Sequence, residues 1–438
     1  MSKISKEIAF LVLAAGKGTR MKNDLAKVMH PIAGKTMIAH VLDVTKNFKT
    51  KKLIPILSPD MKDVETFVKK NFPNSEVVHQ KERLGTGHAV KICLNKLKNF
   101  NGVVVALYGD TPFIEPETVK KMIGMINDKV AVCVLGFETD QPSAYGRLVI
   151  DKKNDLKEIV EFKEASEAQK KIKFCNSGVM AFNGKHLSKI INSIKNNNSK
   201  KEYYLTDAVK IANDAGYTCK SFITDENEVI GVNSQTERAD AEKIMQDKLR
   251  KKHLENGVII TAPETVFFSK DTEIASGVVV EPFVVFKGKV KIAEKCEIRS
   301  FSQLEDCVIK KNCVVGPYAR IRPGTELDEG ARIGNFVEVK KSKIGKGSKV
   351  NHLSYIGDTE MGKDVNVGAG TITCNYDGVN KHKTKIEDGA FIGSNSALVA
   401  PIKIGRNAVV GAGTTLTKDA AAGKITINKK EHKSLNKK

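Results

Sequence analysis

An α/β domain with a Rossmann-like, mostly parallel sheet, joined by a helix to a parallel β-helix, is the fold class the sequence predicts. Three observations carry that reading. In the N-terminal half, short unbroken apolar runs end in turn signals and alternate with helical patterns: residues 8–15 precede Gly16 and Gly18, 53–57 precede Ser58, and 103–107 precede Gly109 and Asp110. Strands covered on both faces read as such continuous runs. In the C-terminal half the period becomes six, with Ile274, Val280, Phe286, Ile292, Ile298 and Leu304 in one register. Between the halves, residues 236–256 are charged and carry Ala239, Ala241, Ile244, Met245 and Leu249 at helical spacing, with Gly257 as a C-terminal stop.

Each element follows in order. The run at 130–135 succeeds a helix-like segment at 116–127, so it reads as a further strand of the first domain. Loops at the carboxyl ends of parallel strands are the default ligand site. The six-residue register resumes at Ile344, Val350 and Ile356 and again from Ile386 through Ile392, Leu398, Ile404 and Val410 to Leu416. Glycine follows directly at Gly345, Gly357, Gly393, Gly405 and Gly411, which predicts tight corners between flat sides. The register breaks at 375–385, which reads as a loop leaving the coil, and interruptions in a repeat array are where function tends to sit. The predicted domains are residues 1–235, a linker helix at 236–257, and 258–438.

The 438 residues carry 72 Lys and Arg against 51 Asp and Glu, a net charge of +21, and are 41% hydrophobic. That composition excludes general disorder. The excess is divided as +12 over residues 1–257 and +9 over 258–438, so it is spread over both halves and not gathered into a tail. With aromatics at 6% and no Trp, the charge favours small anionic substrates over nucleic acid. The run at 8–15 is far short of the roughly 20 apolar residues a membrane span requires, and no leader pattern is present. Eight cysteines without a C-x-x-C pair fit a reduced, cytoplasmic protein without membrane insertion.

The first strand leads into Leu13-Ala14-Ala15-Gly16-Lys17-Gly18-Thr19-Arg20-Met21. Glycines there let backbone N–H groups approach phosphate, and the guanidinium of Arg20 can grip it. Met21 stands where a dinucleotide fingerprint needs its third glycine, and Met29 where a P-loop at Gly34-Lys35-Thr36 needs its first. The whole string, with Lys27, Gln80, Leu84-Gly85-Thr86-Gly87-His88-Ala89, Tyr108-Gly109-Asp110, Glu161 and Asn176-Ser177-Gly178, resembles the nucleotidyltransferases that join a sugar 1-phosphate to a nucleoside triphosphate.

With the six-residue repeats appended, the chain resembles one family almost end to end. That family is the bifunctional N-acetylglucosamine-1-phosphate uridyltransferase / glucosamine-1-phosphate acetyltransferase of bacterial envelope synthesis. The resemblance implies a left-handed coil. It also implies Mg²⁺, a hard ion suited to oxygen ligands, held by Asp110 and Asn233. Arg20 and Lys27 would stabilise charge on the triphosphate of UTP. Leu13, Ala14, Ala15, Gly16, Gln80, Gly85 and Thr86 would line the uridine side, and Tyr108 and Gly109 would also bind substrate. Gly146, Glu161 and Asn176 would hold N-acetylglucosamine 1-phosphate. Ala26 departs from the family, which usually has proline there.

Acetylating an amino sugar requires a base within reach of its nitrogen. His352 directly follows Asn351 and the inward position Val350, so it need not fill the coil, and Arg322, Lys340, Tyr355 and Lys381 are polar groups suited to a sugar phosphate. The resemblance makes His352 the general base and Asn375 its orienter. Arg322, Lys340, Tyr355 and Asn366, with Lys381 nearby, would contact glucosamine 1-phosphate. Ala369, Asn375, Tyr376, Ser394 and Ala412 would line the path of acetyl-CoA, the co-substrate. Lys429 stands where the family often has arginine near the coenzyme phosphates. Sites between the solenoids of a homotrimer are implied as well. Two alternatives stay open: a single-activity nucleotidyltransferase with a scaffold solenoid, and a basic structural or RNA-binding trimer.

Overall fold

The computed structural model describes residues 7–142 and 145–428. The chain divides between Glu242 and Lys243 into two compact units.

The first unit is built on a nine-stranded sheet. Its main path runs Thr218–Thr224, Val130–Glu138, Phe174–Asn183, Val103–Tyr108, Ile8–Leu13, Thr50–Leu57, Val78–His79. Neighbours are parallel except Phe174–Asn183, which is antiparallel to both of its own. A hairpin of Arg147–Ile150 and Leu156–Val160 hangs from that strand. The continuous apolar runs follow from double coverage. Phe10 and Val12 enter the core on one face with Val103, Val105 and Leu107, while Ala9 and Leu11 enter the opposite core with Val104 and Ala106. A period-two backbone sends alternate side chains to both faces, and here both faces are buried. Two hydrogen bonds extend the ladder beyond Leu13, from Ala14 N–H to Ile56 at 2.9 Å and from Gly109 N–H to Leu13 at 2.9 Å. The glycine-rich stretch and Asp110 therefore emerge side by side at the carboxyl edge.

The expected joining helix spans Gln235–Glu255, and Gly257 beyond it has φ 81°. Its buried seam is Ala241, Met245, Gln246, Leu249 and His253. Ala239, expected in the apolar stripe, is exposed, and Ile244 is half-buried. The seam begins two residues later than expected and is completed by two polar residues. Gln246 is accommodated because its amide donates to Phe268 O at 2.7 Å and accepts from Phe268 N–H at 2.8 Å.

The second unit winds through three parallel faces of ten, eight and eight strands. A first-face strand is followed by a second-face and then a third-face strand, and the cycle repeats. All fifteen repeat positions named from the sequence lie buried inside. The step is not always six. Leu304 to Ile309, Val339 to Ile344 and Ile356 to Met361 are steps of five, all inward. Those corners contain Asp306, Lys341 and Asp358 at φ of 41°, 47° and 46°.

The role expected of the corner glycines is corrected. Gly345, Gly357, Gly393, Gly405 and Gly411 are not left-handed; they allow close approach of the next coil. A Cβ on Gly345 would lie 2.2 Å from the carbonyl oxygen of Gly362, and one on Gly393 2.4 Å from Ala412 N. Left-handed backbone falls instead on Phe283, Phe301, Tyr318, Phe336 and Leu353, at the corner between first and second faces. The four aromatic rings form a row outside the coil, with centroids 4.9 Å apart for Phe283–Phe301 and Phe301–Tyr318 and 5.2 Å for Tyr318–Phe336. The loop expected at 375–385 is present, closed by an antiparallel bridge between Tyr376 and Lys381, and the coil resumes at Thr384.

Candidate active sites

At the carboxyl edge of the first unit's sheet lies a cleft of about 460 Å³. Leu13, Ala14, Ala15, Gly16, Lys27, Gln80, Gly85, Thr86, Tyr108, Asp110, Glu161 and Asn176, all expected site residues, line it. Gly85 has φ 102°, and a Cβ there would collide with Tyr203 O at 2.6 Å, so the turn requires glycine. The Gln80 amide donates to Gly85 O at 3.1 Å, which fixes that turn against the strand end.

Lys27 stands between two oxygen donors. Its ammonium pairs with the Asp110 carboxylate and lies 3.2 Å from Asn233 Oδ1. Two hard oxygens from distant segments thus converge on one cation, the donor chemistry a Mg²⁺ site needs. Magnesium commonly takes one or two carboxylates and completes its shell with water and substrate phosphate. The absence of a cluster of three or more His, Cys, Asp or Glu among the described residues is compatible with such a site. Ala26, the departure before Lys27, has φ −53° and ψ 133°, a backbone that proline also adopts.

Glu161 sits deeper. Burial raises its carboxyl above the usual range, against hydrogen bonding from Thr206 and the charge of Lys200. Thr206 Oγ1 donates to Glu161 Oε1 at 3.1 Å. Gly146 borders the same corner, where its carbonyl accepts from Asn176 N–H at 2.8 Å. Burial likewise raises the Tyr108 phenol. Arg20 and Gly109 do not line the cleft, and Arg20 is exposed on a short turn.

Sequence reading missed Arg83, Lys200, Glu202, Tyr204 and Thr206, which also line the cleft. Arg83 Nε donates to Ala15 O at 2.8 Å and Nη2 to Ser58 Oγ at 2.8 Å, bracing the glycine-rich stretch. The signal available for the others was a polar, aromatic run at 200–206 between two helices.

In the solenoid the expected residues divide between two edges. His352, Ala369, Ser394 and Ala412 occupy one position of successive coils at the first corner. The register is shown by Gly370 N–H to His352 O at 3.4 Å, Asn395 N–H to Ala369 O at 2.7 Å and Gly413 N–H to Ser394 O at 2.8 Å. Past Leu353 the left-handed position changes from bulky side chains to Gly370, Asn395 and Gly413. Asn366 lies on the adjoining first face, paired between Lys349 and Phe391.

Arg322, Lys340 and Gly357 stack at the corner between second and third faces, with Asn375 in the next turn of chain. Lys381 beside it, above all, and then Arg322 push the Lys340 ammonium below the usual lysine range. Cations crowded this way favour an anion among them. Glu338 takes one of their charges, with Arg322 Nη1 at 2.7 Å. Tyr355 projects from the second face between the two edges, which are separated by roughly 16 Å at about 3.3 Å per strand residue. The loop is organised by Asp377, whose carboxylate receives N–H from Val379 at 2.8 Å and Asn380 at 2.6 Å and pairs with His382 at 2.6 Å. Tyr376 is exposed on it. Lys429 lies outside the described residues.

Comparison with known proteins agrees with both halves. Residues 10–172 match the MobA-like NTP transferase domain, residues 306–341 the bacterial transferase hexapeptide, and residues 383–418 the hexapeptide repeat of succinyl-transferase. The chain is 46% identical over 425 residues to the bifunctional protein GlmU of Paramagnetospirillum magneticum, covering 97% of this chain and 94% of that one. It is 44% identical over 432 residues to the bifunctional protein GlmU of Zymomonas mobilis, covering 98% and 96%. With a transferase cleft in one unit, a transferase solenoid in the other, and relatives matched through both, the chain belongs to the family of bifunctional GlmU proteins.

Proposed function

We propose that the chain catalyses two transfers in the synthesis of UDP-N-acetylglucosamine. Residues 258–438 pass the acetyl group of acetyl-CoA to the amine of glucosamine 1-phosphate. Residues 1–235 then pass a uridylyl group from UTP to N-acetylglucosamine 1-phosphate and release pyrophosphate. The observation that carries the reading is one chain holding two unlike anion sites, the Lys27–Asp110–Asn233 cleft and the Arg322–Lys340–Lys381 edge.

In the first unit Lys27 offers its ammonium to the triphosphate, with Arg20 on the neighbouring turn. Gln80, Gly85 and Thr86 face the uridine side, and Glu161 and Asn176 the sugar. Mg²⁺ held by Asp110 and Asn233 would neutralise charge on the triphosphate as the bond to pyrophosphate breaks. The sugar phosphate oxygen forms the new bond to the α-phosphorus.

Because the two edges of one solenoid lie roughly 16 Å apart, the site forms between copies in the homotrimer, where the cations of one edge hold the phosphate of the amino sugar while Tyr355 and Asn366 contact it. His352 accepts a proton from the amine as nitrogen bonds to the thioester carbonyl carbon, and coenzyme A leaves as its thiol after gaining a proton. Ala369, Ser394 and Ala412 leave room for the coenzyme, with Tyr376 beside it. The stacked, exposed rings from Phe283 to Phe336 support a homotrimer, because apolar surface in an ordered row is what a copy of the chain would cover. Eight free cysteines support a reducing compartment, the cytoplasm.

The test is turnover by the full chain. With acetyl-CoA and glucosamine 1-phosphate it should release thiol; with UTP, N-acetylglucosamine 1-phosphate and Mg²⁺ it should release pyrophosphate. Pyrophosphate without thiol would leave a nucleotidyltransferase on a scaffold.

A further inference from the structure

Asp358 is a buried carboxylate that neither reaction above uses. It lies at the corner between second and third faces, directly after Gly357, with left-handed backbone at φ 46°. Its side chain is 7% exposed. Taking a carboxylate out of water is costly unless partners compensate it. Two partners are present: Asn375 Nδ2 donates to Asp358 Oδ2 at 2.6 Å, and Lys341 Nζ lies 3.7 Å from Oδ1.

The pairing has a directional consequence. An asparagine amide presents a donor at one end and an acceptor at the other, and a half-turn exchanges them. An ionised carboxylate only accepts. Facing Asp358, the amide of Asn375 must turn its NH₂ inward and its carbonyl oxygen away. Gly357 provides the space: a Cβ there would lie 2.5 Å from the Tyr355 hydroxyl oxygen and 2.8 Å from Asn375 Nδ2. The phenol and the amide therefore meet over a residue that cannot carry a side chain without displacing one of them.

We propose that Asp358 is a positioning residue for acetyl transfer, which fixes the amide sense of Asn375 so that Oδ1 is presented as an acceptor to an N–H donor of the bound substrate. The inference rests on the acetyl-transfer reading of the solenoid. Asp358→Asn removes the constraint with little change of shape, since an amide at 358 can face Asn375 with either end and lets it flip.

The test is a double-mutant cycle in the full chain, reading kcat/KM for thiol release, with uridylyl transfer and Tm as controls. Asp358→Asn alone should lower acetyl transfer tenfold or more and leave uridylyl transfer unchanged. In an Asn375→Ala background the same change should cost less than twofold, because the group it acts through is gone. A purely structural role would give the same loss in both backgrounds, and that result overturns the proposal. Activity of Asp358→Asn within twofold of wild type overturns it as well. Should Asp358→Asn fail to fold, Gly357→Ala keeps the carboxylate and crowds the same amide; it should also lower acetyl transfer tenfold, and activity within twofold would overturn the proposal. Wild type that releases no thiol removes the acetyl-transfer reading and this inference together, whereas active wild type with additive variants removes the inference alone.

Discussion

The two units gather their polar side chains by opposite means. The α/β cleft draws on segments scattered from Leu13 to Thr206, which only the sheet order brings to one edge. The solenoid repeats one corner coil after coil and varies the side chain placed there. Pro282, Ser300, Pro317 and Asn335 are followed in the same position by His352, Ala369, Ser394 and Ala412. In the first unit, function depends on long-range folding; in the second, on the position within a repeat. A single change should therefore act across the cleft but stay confined to its own edge on the solenoid.

The largest expected effect breaks the cleft at its centre. Lys27→Met should lower uridylyl transfer by about 10²-fold or more, the usual scale for losing a preorganised charge at a phosphoryl group, while thiol release stays at the wild-type rate. A loss of both activities would mean the units are not separable.

The next concerns assembly. Phe301→Ser with Tyr318→Ser removes two rings from the outer stack. The mass in solution should fall from about three times 48.0 kDa toward one, measured by light scattering, with uridylyl transfer retained. An unchanged mass would assign assembly to another surface.

Gly345→Ala tests the corrected role of the corner glycines. The added methyl meets the Gly362 carbonyl and should destabilise the solenoid by about 1–3 kcal/mol, the ordinary cost of overpacking. Were left-handed φ the reason for glycine there, the cost would come from the backbone; this corner is not left-handed, so the clash alone must supply it.

A pH effect belongs to the solenoid unit. Burial, then the neighbouring Lys252, lowers His253 to about 4. Its ring centroid lies 4.6 Å from that of Phe268, and among the described residues neither nitrogen has a hydrogen-bond partner. A folded value below the unfolded one near 6.5 means acid favours unfolding. The contribution is intact above 6.5 and falls as pH drops toward 4. The Tm of His253→Leu should vary less between pH 7 and 5 than that of the wild type; equal slopes would remove His253 as the cause. The smallest effect is expected of Ala26→Pro, which restores the residue usual in the family at a compatible φ and should stabilise by about 0.4–1 kcal/mol through the unfolded chain.

Much of this was legible in the sequence because each signal was local. The inward hexads from Ile274 to Leu304 needed only a period, and His352 was set outside the coil by its place after Val350. What escaped depends on distant contacts. Arg83 acts on Ala15, 68 positions away, and nothing near residue 83 announces it. The five-residue corners at Asp306, Lys341 and Asp358 shift the register without a break in apolar pattern. Ala239 suited helical spacing, yet nothing packs over it, because the buried seam begins at Ala241. The glycines were found for the wrong reason, since a small residue can serve φ or close approach and sequence alone does not separate them.

Two chemistries in two independent units should be separable by assaying both activities on two variants. Asp110→Ala should abolish pyrophosphate release and leave thiol release unchanged. His352→Ala should lower thiol release by about 10²-fold, the usual size of a general-base loss, and leave pyrophosphate release unchanged. Retention of acetyl transfer by His352→Ala, or loss of both activities in either variant, would contradict the account.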